Sequence, residues 1–143
     1  MQKDNFDISP IKNAGTALSN ALAFALKIEL KNDDEREFYE FETCRASVIQ
    51  HFETSYELCW KFIKRWLEEM NGDDVDGITK KNLYRLASEN NLISDVEKWL
   101  FFMYARNKTS HVYDEDVAEE VYAAAKEFKF HMNELISRLE AGG

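Results

Sequence analysis

Proline occurs once in the 143 residues, at Pro10, and glycine five times. Long stretches therefore carry no breaker, which favours helices over turn-rich β architectures. Cysteine is equally scarce. Cys44 and Cys59 fall on one expected helix, about 22 Å apart at 1.5 Å per residue, whereas a disulfide needs Cα atoms within about 7 Å. Two unpaired thiols fit a reducing compartment. No apolar run approaches the roughly 18 residues of a membrane span. Met1 to Pro10 are polar and lack the apolar core of a signal peptide. A soluble, cytoplasmic chain without membrane contact is expected. Positive charge is also short, with 18 basic residues against 27 acidic and a formal net charge of −9. Such a surface repels the nucleic-acid backbone, so DNA is not an expected partner and RNA could be held only in a small local cleft. There is no P-loop, no Cys/His zinc spacing and no Gly-x-Ser-x-Gly elbow, so neither a metal nor a cofactor is expected.

What is present argues for a packed globule. Hydrophobic residues make up 45% and aromatics 13%, and the length suits one domain over residues 1–143 with a core of its own. Ser9-Pro10 reads as an N-cap with proline at the first helical position. Ile11, Leu18, Leu22, Leu26 and Ile28 follow at helical spacing. Lys31 to Glu42 reads as an acidic connector (Asp33, Asp34, Glu35, Glu37) pinned to the body by Phe38, Tyr39 and Phe41. A second helix is expected from Thr43 to Met70, stopped by Asn71-Gly72. Its apolar residues, from Val48 to Met70 and including Trp60 and Trp66, cover roughly 160° of arc, against about 100° for a helix facing only its own bundle. The excess implies either more neighbours within the fold or a subunit interface. Thr79 can cap a short third helix through Glu89, followed by Asn90-Asn91. Ser94 or Asp95 can cap a fourth that reaches Arg106, and Asp114 a fifth that runs to the C-terminus. No strand alternation, repeat or low-complexity segment interrupts this pattern. The chain reads as all-α, an up-and-down four-helix bundle with one additional short helix.

Across the junction of the fourth and fifth helices the chain reads Arg106-Asn107-Lys108-Thr109-Ser110-His111-Val112-Tyr113. Arginine can hold a phosphate bidentately, histidine can move protons near neutral pH, and a phenol can accept a group as a nucleophile. Each residue also has a plainer role. Arg106 could satisfy the last carbonyls of its helix, His111 and Asn107 could bond their neighbours in a turn, and Tyr113 could be half-buried packing. The Arg-x4-His-x-Tyr spacing, set across this junction, points instead to phosphoryl or phosphodiester chemistry. On helix two, Gln50, Glu53, Glu57, Lys61 and Lys64 form a polar stripe beside the apolar arc. The plain reading is a solvated face with a Glu57–Lys61 pair at i,i+4. The sharper one is that Glu53 orients Arg106 or His111, and in the latter case fixes the histidine tautomer. Tyr113 precedes the Asp114 cap, and a helix N-terminus there would favour an incoming phosphate.

Residues 48–61, Val-Ile-Gln-His-Phe-Glu-Thr-Ser-Tyr-Glu-Leu-Cys-Trp-Lys, resemble the helix-two signature of the nucleotidyltransferase substrate-binding protein family, part of the HEPN superfamily. Residues 106–114, Arg-Asn-Lys-Thr-Ser-His-Val-Tyr-Asp, resemble its second signature. The resemblance covers nearly the whole chain and is weakest over the first 40 residues. It implies a HEPN-like helical bundle that forms a homodimer within a hetero-oligomer. Its partner would be a minimal nucleotidyltransferase carrying the metal and NTP chemistry on a separate chain. In related HEPN pairs the Arg-x4-His protein is a ribonuclease toxin, and the nucleotidyltransferase is an antitoxin that adenylylates the motif tyrosine. Arg106, His111 and Tyr113 match those positions, and Asn107 matches the polar residue that commonly follows the arginine. This chain has no Gly-Ser pair followed by Asp-x-Asp on a strand and so is not itself the nucleotidyltransferase.

Two functions follow from the resemblance, beside a blander third in which the helical scaffold uses its motif only structurally. The first is a non-catalytic accessory subunit that docks a nucleotidyltransferase and binds substrate through Arg106, Asn107, His111, Tyr113 and Glu53. The second is a metal-independent endoribonuclease toxin with Arg106 and His111 as catalytic residues, neutralised by adenylylation of Tyr113. The charge of −9 weighs against a free ribonuclease more than against a docked subunit.

Overall fold

The computed structural model describes residues 6–31 and 35–142. Met1 to Asn5 of the polar start, and Asp33 and Asp34 of the acidic connector, lie outside the described residues. Among the described residues five α-helices follow one another: α1 Ser9–Glu29, α2 Glu35–Glu69, α3 Lys80–Glu89, α4 Val96–Asn107 and α5 Glu115–Glu140. A 3-10 turn, Lys108–His111, joins α4 to α5. The chain is an all-α bundle, and no strand occurs among the described residues. The long α2 is the hub, packing against α1 along much of its length and against α3, α4 and α5 elsewhere.

The caps follow local chemistry. The Thr79 hydroxyl accepts from the Asn82 N–H at 3.2 Å and starts α3. Of the two candidates for α4, Asp95 is the cap and accepts from Lys98 N at 3.1 Å, while Ser94 instead donates its hydroxyl to Glu134. At the end of α3, Asn91 takes φ 61°. There the N–H groups of Leu92 and Asn91 return to the carbonyls of Ala87 and Ser88 at 2.9 and 3.1 Å, a left-handed stop that asparagine tolerates. Ser9 is not the cap of α1. It is the first helical residue, Ile8 stands at the cap, and the Asp7 carboxylate takes the Ser9 N–H at 2.9 Å.

The acidic connector is the larger correction, because α2 begins at Glu35 rather than Thr43. The acidic character that reads as a linker is also favourable at a helix start. Of its three aromatics only Phe41 pins the segment, meeting Tyr122 edge-on at 5.5 Å between centroids. Phe38 and Tyr39 are exposed. On α1 the inward face is Ile11, Gly15, Leu18, Leu22 and Ala25, whereas Leu26 faces outward. A Cβ on Gly15 would stand 3.0 Å from Ile136 Cδ1, so the small residue lets α1 and α5 approach closely.

Most of the wide apolar arc of α2 is buried within the protomer. Val48, Ile49, Phe52, Tyr56, Cys59, Phe62, Ile63, Trp66 and Leu67 are all buried. Extra neighbours inside the fold cover most of this arc, while Trp60 and Met70 stay half-buried at its edge. At the centre, Phe128 meets Phe52, Phe102 and Trp99 edge-on at 5.2, 5.1 and 5.6 Å. Each such buried ring contributes on the order of 2–3 kcal/mol from area alone. Cys44 and Cys59 are free thiols. Beside the core, Arg45 is 5% exposed and ties α2 to α5. Its Nη1 and Nη2 donate to the two carboxylate oxygens of Glu115 at 2.7 and 2.8 Å, and Nη1 also bonds Glu119. The Arg45 hydrogen bonds hold the Glu115 carboxyl below the usual carboxylate range.

Candidate functional site

Glu53 and Glu57 are four residues apart on α2, so both carboxylates project from one face. The last turn of α4 crosses that face and delivers Arg106 between them. Arg106 Nε donates to Glu57 Oε1 at 3.1 Å, and Nη1 lies 3.3 Å from Glu53 Oε2. The 3-10 turn completes the cage. Arg106 Nη1 stands 3.4 Å from Thr109 Oγ1, and that hydroxyl is 3.0 Å from Glu53 Oε2 and 2.8 Å from the Arg106 carbonyl. Thr109 is correspondingly buried. One cation thus faces two carboxylates, so its charge is more than neutralised within the protomer. Nη2 is the edge without a partner among the described residues. A phosphate could bind there, or by exchanging with one of the carboxylates.

The same carboxylate extends the network. Glu57 Oε2 accepts from the Trp60 indole N–H at 2.9 Å. The expected Glu57–Lys61 pair is therefore replaced, because a convergent guanidinium and an indole offer better-aligned donors than a flexible i+4 lysine. Below the site Tyr56 and Tyr84 share a hydrogen bond between their hydroxyls. Burial, the largest influence, pushes Tyr56 up to about 12 and Tyr84 further up. Both phenols stay neutral at physiological pH and form a floor rather than a proton relay.

His111 and Tyr113 stand apart from this cage. His111 is exposed at the end of the 3-10 turn, and its Nδ1 is 3.3 Å from the Tyr113 hydroxyl. The two rings meet edge-on at 5.9 Å. Tyr113 is 85% exposed. Glu53 meets Arg106 rather than His111. Asn107, the last residue of α4, is exposed and makes no side-chain bond to the described residues. The N-terminus of α5 is not open to a phosphate, contrary to the sequence-based expectation. Asp114 Oδ1 already accepts from the N–H groups of Asp116 and Val117 at 2.9 and 3.2 Å, and Glu115 and Asp116 follow in the first turn. An anion there would meet the Asp114 and Asp116 carboxylates, beside a Glu115 already paired with Arg45.

Sequence reasoning thus reaches Arg106 and Glu53 but not the roles of Glu57 and Thr109. The i,i+4 spacing of Glu53 and Glu57 is the available signal. For Thr109 it is the i+3 offset from an arginine in a last turn.

A family model for nucleotidyltransferase substrate binding protein-like chains matches residues 8–141. The chain belongs to this family. The Haemophilus influenzae protein named "Probable ribonuclease HepT" is 38% identical over 100 residues, which is 68% of each chain. A solved Haemophilus influenzae structure, reported as revealing the fold of a substrate binding domain of a nucleotidyltransferase, superimposes with a TM-score of 0.69 at 32% identity. That match covers 88% of this chain and 98% of the other. A Thermus thermophilus structure superimposes with a TM-score of 0.62 at 27% identity, covering 85% and 98%. The helical bundle expected from the sequence and the family named by its two signatures are both established. In this family member the second signature forms the Arg106 cage and the exposed His111–Tyr113 pair.

Proposed function

We propose that the chain is a non-catalytic accessory subunit that docks a separate minimal nucleotidyltransferase and helps to form its substrate site. The observation that carries this reading is the division of the motif. Its cation is held by Glu53 and Glu57 inside the protomer, while His111 and the 85%-exposed Tyr113 stand out where only another molecule can use them. A caged arginine shapes a surface for recognition, and an exposed imidazole–phenol pair offers that surface something to present. Asn107 and Tyr104, also exposed, border the same patch in sequence on α4. A homodimer that leaves this patch free would bury exposed aromatics outside the motif segment, such as Phe24 and Phe130. Size-exclusion chromatography with light scattering checks both points. Alone, the chain should elute as a dimer. Mixed with a minimal nucleotidyltransferase from the same organism, it should elute as one species of fixed stoichiometry. A monomer alone contradicts the dimer, and separate peaks in the mixture contradict the docking.

The ribonuclease reading is favoured by one observation, the 38% identity to a protein named as a probable ribonuclease. In that reading Arg106 stabilises charge on the pentacoordinate phosphorus, and His111 serves as base or acid on the 2′-hydroxyl and leaving oxygen. Arg106→Ala and His111→Ala should then each abolish RNA cleavage and leave the helical circular dichroism intact, while wild-type activity should resist EDTA. Cleavage that persists in both variants, or that disappears only with the chelator, assigns the nuclease elsewhere.

A further inference from the structure

We infer that Trp60, Lys61 and Lys80 form a nucleotide-binding platform beside Arg106, with the indole as the base-stacking surface and the two ammonium groups as the phosphate clamp. The inference rests on the reading of this chain as a substrate-presenting subunit and specifies what that substrate carries. Acidic residues outnumber basic ones by 27 to 18, and neighbouring cations are matched accordingly, Arg106 with Glu53 and Glu57, and Lys108 with Glu120. Lys61 and Lys80 are set apart by where they meet rather than by lacking an acid, since Lys126 and Lys129 also face rings without an ion pair among the described residues. Among the described residues neither has a carboxylate partner, yet both converge on one ring, with Nζ atoms 5.8 and 4.0 Å from the Trp60 centroid. They come from different helices, α2 and the first position of α3, so the fold rather than local sequence brings them together.

Trp60 packs at the edge of the core and keeps part of its ring open. Trp66 and Trp99 are buried, whereas Trp60 is half-buried at the edge of the cluster. Its Nε1–H is fixed on Glu57 Oε2 at 2.9 Å, so the ring is held before anything binds and little side-chain freedom remains to be lost. A lysine over a half-buried ring at the surface is a weak contact that exchanges readily. Lys80 can therefore swing from the indole face to a phosphate while a base takes its place, as in single-strand binding sites where aromatic stacking and a nearby cation act together. Glu57 holds Trp60 through one oxygen and Arg106 through the other. A nucleotide on the platform thus sits one carboxylate away from the motif arginine. The shared chemistry is a base with its phosphate, whether of a free nucleotide or of the end of an RNA strand.

The isolated chain suffices for the test, so failure to dock a nucleotidyltransferase would leave its result untouched. Nitrogen-proton NMR resolves the indole N–H signals, and the Trp60 signal is assigned by its loss in Trp60→Phe. Titration with AMP should shift that signal saturably while those of Trp66 and Trp99 stay in place. Ribose 5-phosphate should shift it much less, because it has no base to stack. A short oligoadenylate that shifts the signal where AMP does not identifies the source as a strand end and supports the same site. The double variant Lys61→Gln, Lys80→Gln, with Lys61 exposed and Lys80 half-buried, should weaken binding about tenfold, the scale of a lost charge-assisted contact. A Trp60 signal unmoved by both AMP and oligoadenylate, or an affinity unchanged in the double variant, overturns the inference.

Discussion

Arg45→Met should destabilise the chain by about 2 kcal/mol, between the 0–1 kcal/mol of an exposed ion pair and the 3–5 kcal/mol of a broken buried one. The intermediate value follows from the asymmetry of the contact. The Arg45 side chain is 6% exposed, while Glu115 and Glu119 are 55% and 51% exposed. Methionine has about the same stem length, and the change removes both the ion pairs and the guanidinium contact with the Phe41 ring, 5.5 Å from its centroid. A melting temperature lower by roughly 6 °C is expected for a domain of this size. The effect should depend on pH with a definite sign. The Glu115 carboxyl is held below its ordinary range by its hydrogen bonds to Arg45, so the folded state binds its proton less readily than the unfolded chain. The contribution is fully present above the unfolded carboxylate range and is lost as pH falls through the folded value. The gap between wild type and Arg45→Met, followed by thermal denaturation, should therefore narrow below about pH 4. A gap that stays constant or widens in acid would show that Arg45 acts through packing rather than through its carboxylates.

Tyr113 should gain one AMP when the chain is incubated with its nucleotidyltransferase, ATP and Mg²⁺, and Tyr113→Phe should abolish the gain. In this step the tyrosine oxygen attacks the α-phosphorus, the new P–O bond replaces the α–β phosphoanhydride, and pyrophosphate leaves. The phenolic proton needs an acceptor, and His111 Nδ1 stands 3.3 Å away. His111→Ala should therefore slow the addition about a hundredfold, within the range of a lost general base. The exposure of Tyr113 makes the reaction sterically open, whereas the acidic start of α5 leaves neutralisation of the incoming phosphate to the partner and its metal. Intact-mass measurement reads all three proteins. An unchanged wild-type mass with a competent partner would remove Tyr113 as acceptor and leave substrate presentation as the role of the motif.

The helices and most caps were legible because they rest on local chemistry. Thr79, Asp114 and the Asn90-Asn91 stop act within a few residues of themselves, so sequence spacing suffices. The start of α2 was obscured because acids at a helix N-terminus look like a solvated linker. The site was half legible for a related reason. Arg106, His111 and Tyr113 stand in one short segment, but their partners are decided by how α4 crosses α2. The i,i+4 pair Glu53 and Glu57 could be seen to share a face, yet nothing local said that Arg106 would enter between them rather than Lys61 pairing with Glu57. The same limit hid Arg45, 70 residues from Glu115 in sequence.

Hydrogen exchange on the chain with and without bound nucleotidyltransferase tests the docking surface most directly. Slowed exchange should map to residues 104–114 and to the Glu53–Trp60 stretch of α2, where the caged arginine and the exposed His111–Tyr113 pair meet the partner. A stable complex whose protection falls elsewhere, with residues 104–114 exchanging as in the free chain, would contradict the proposal that this motif is the docking and presenting surface.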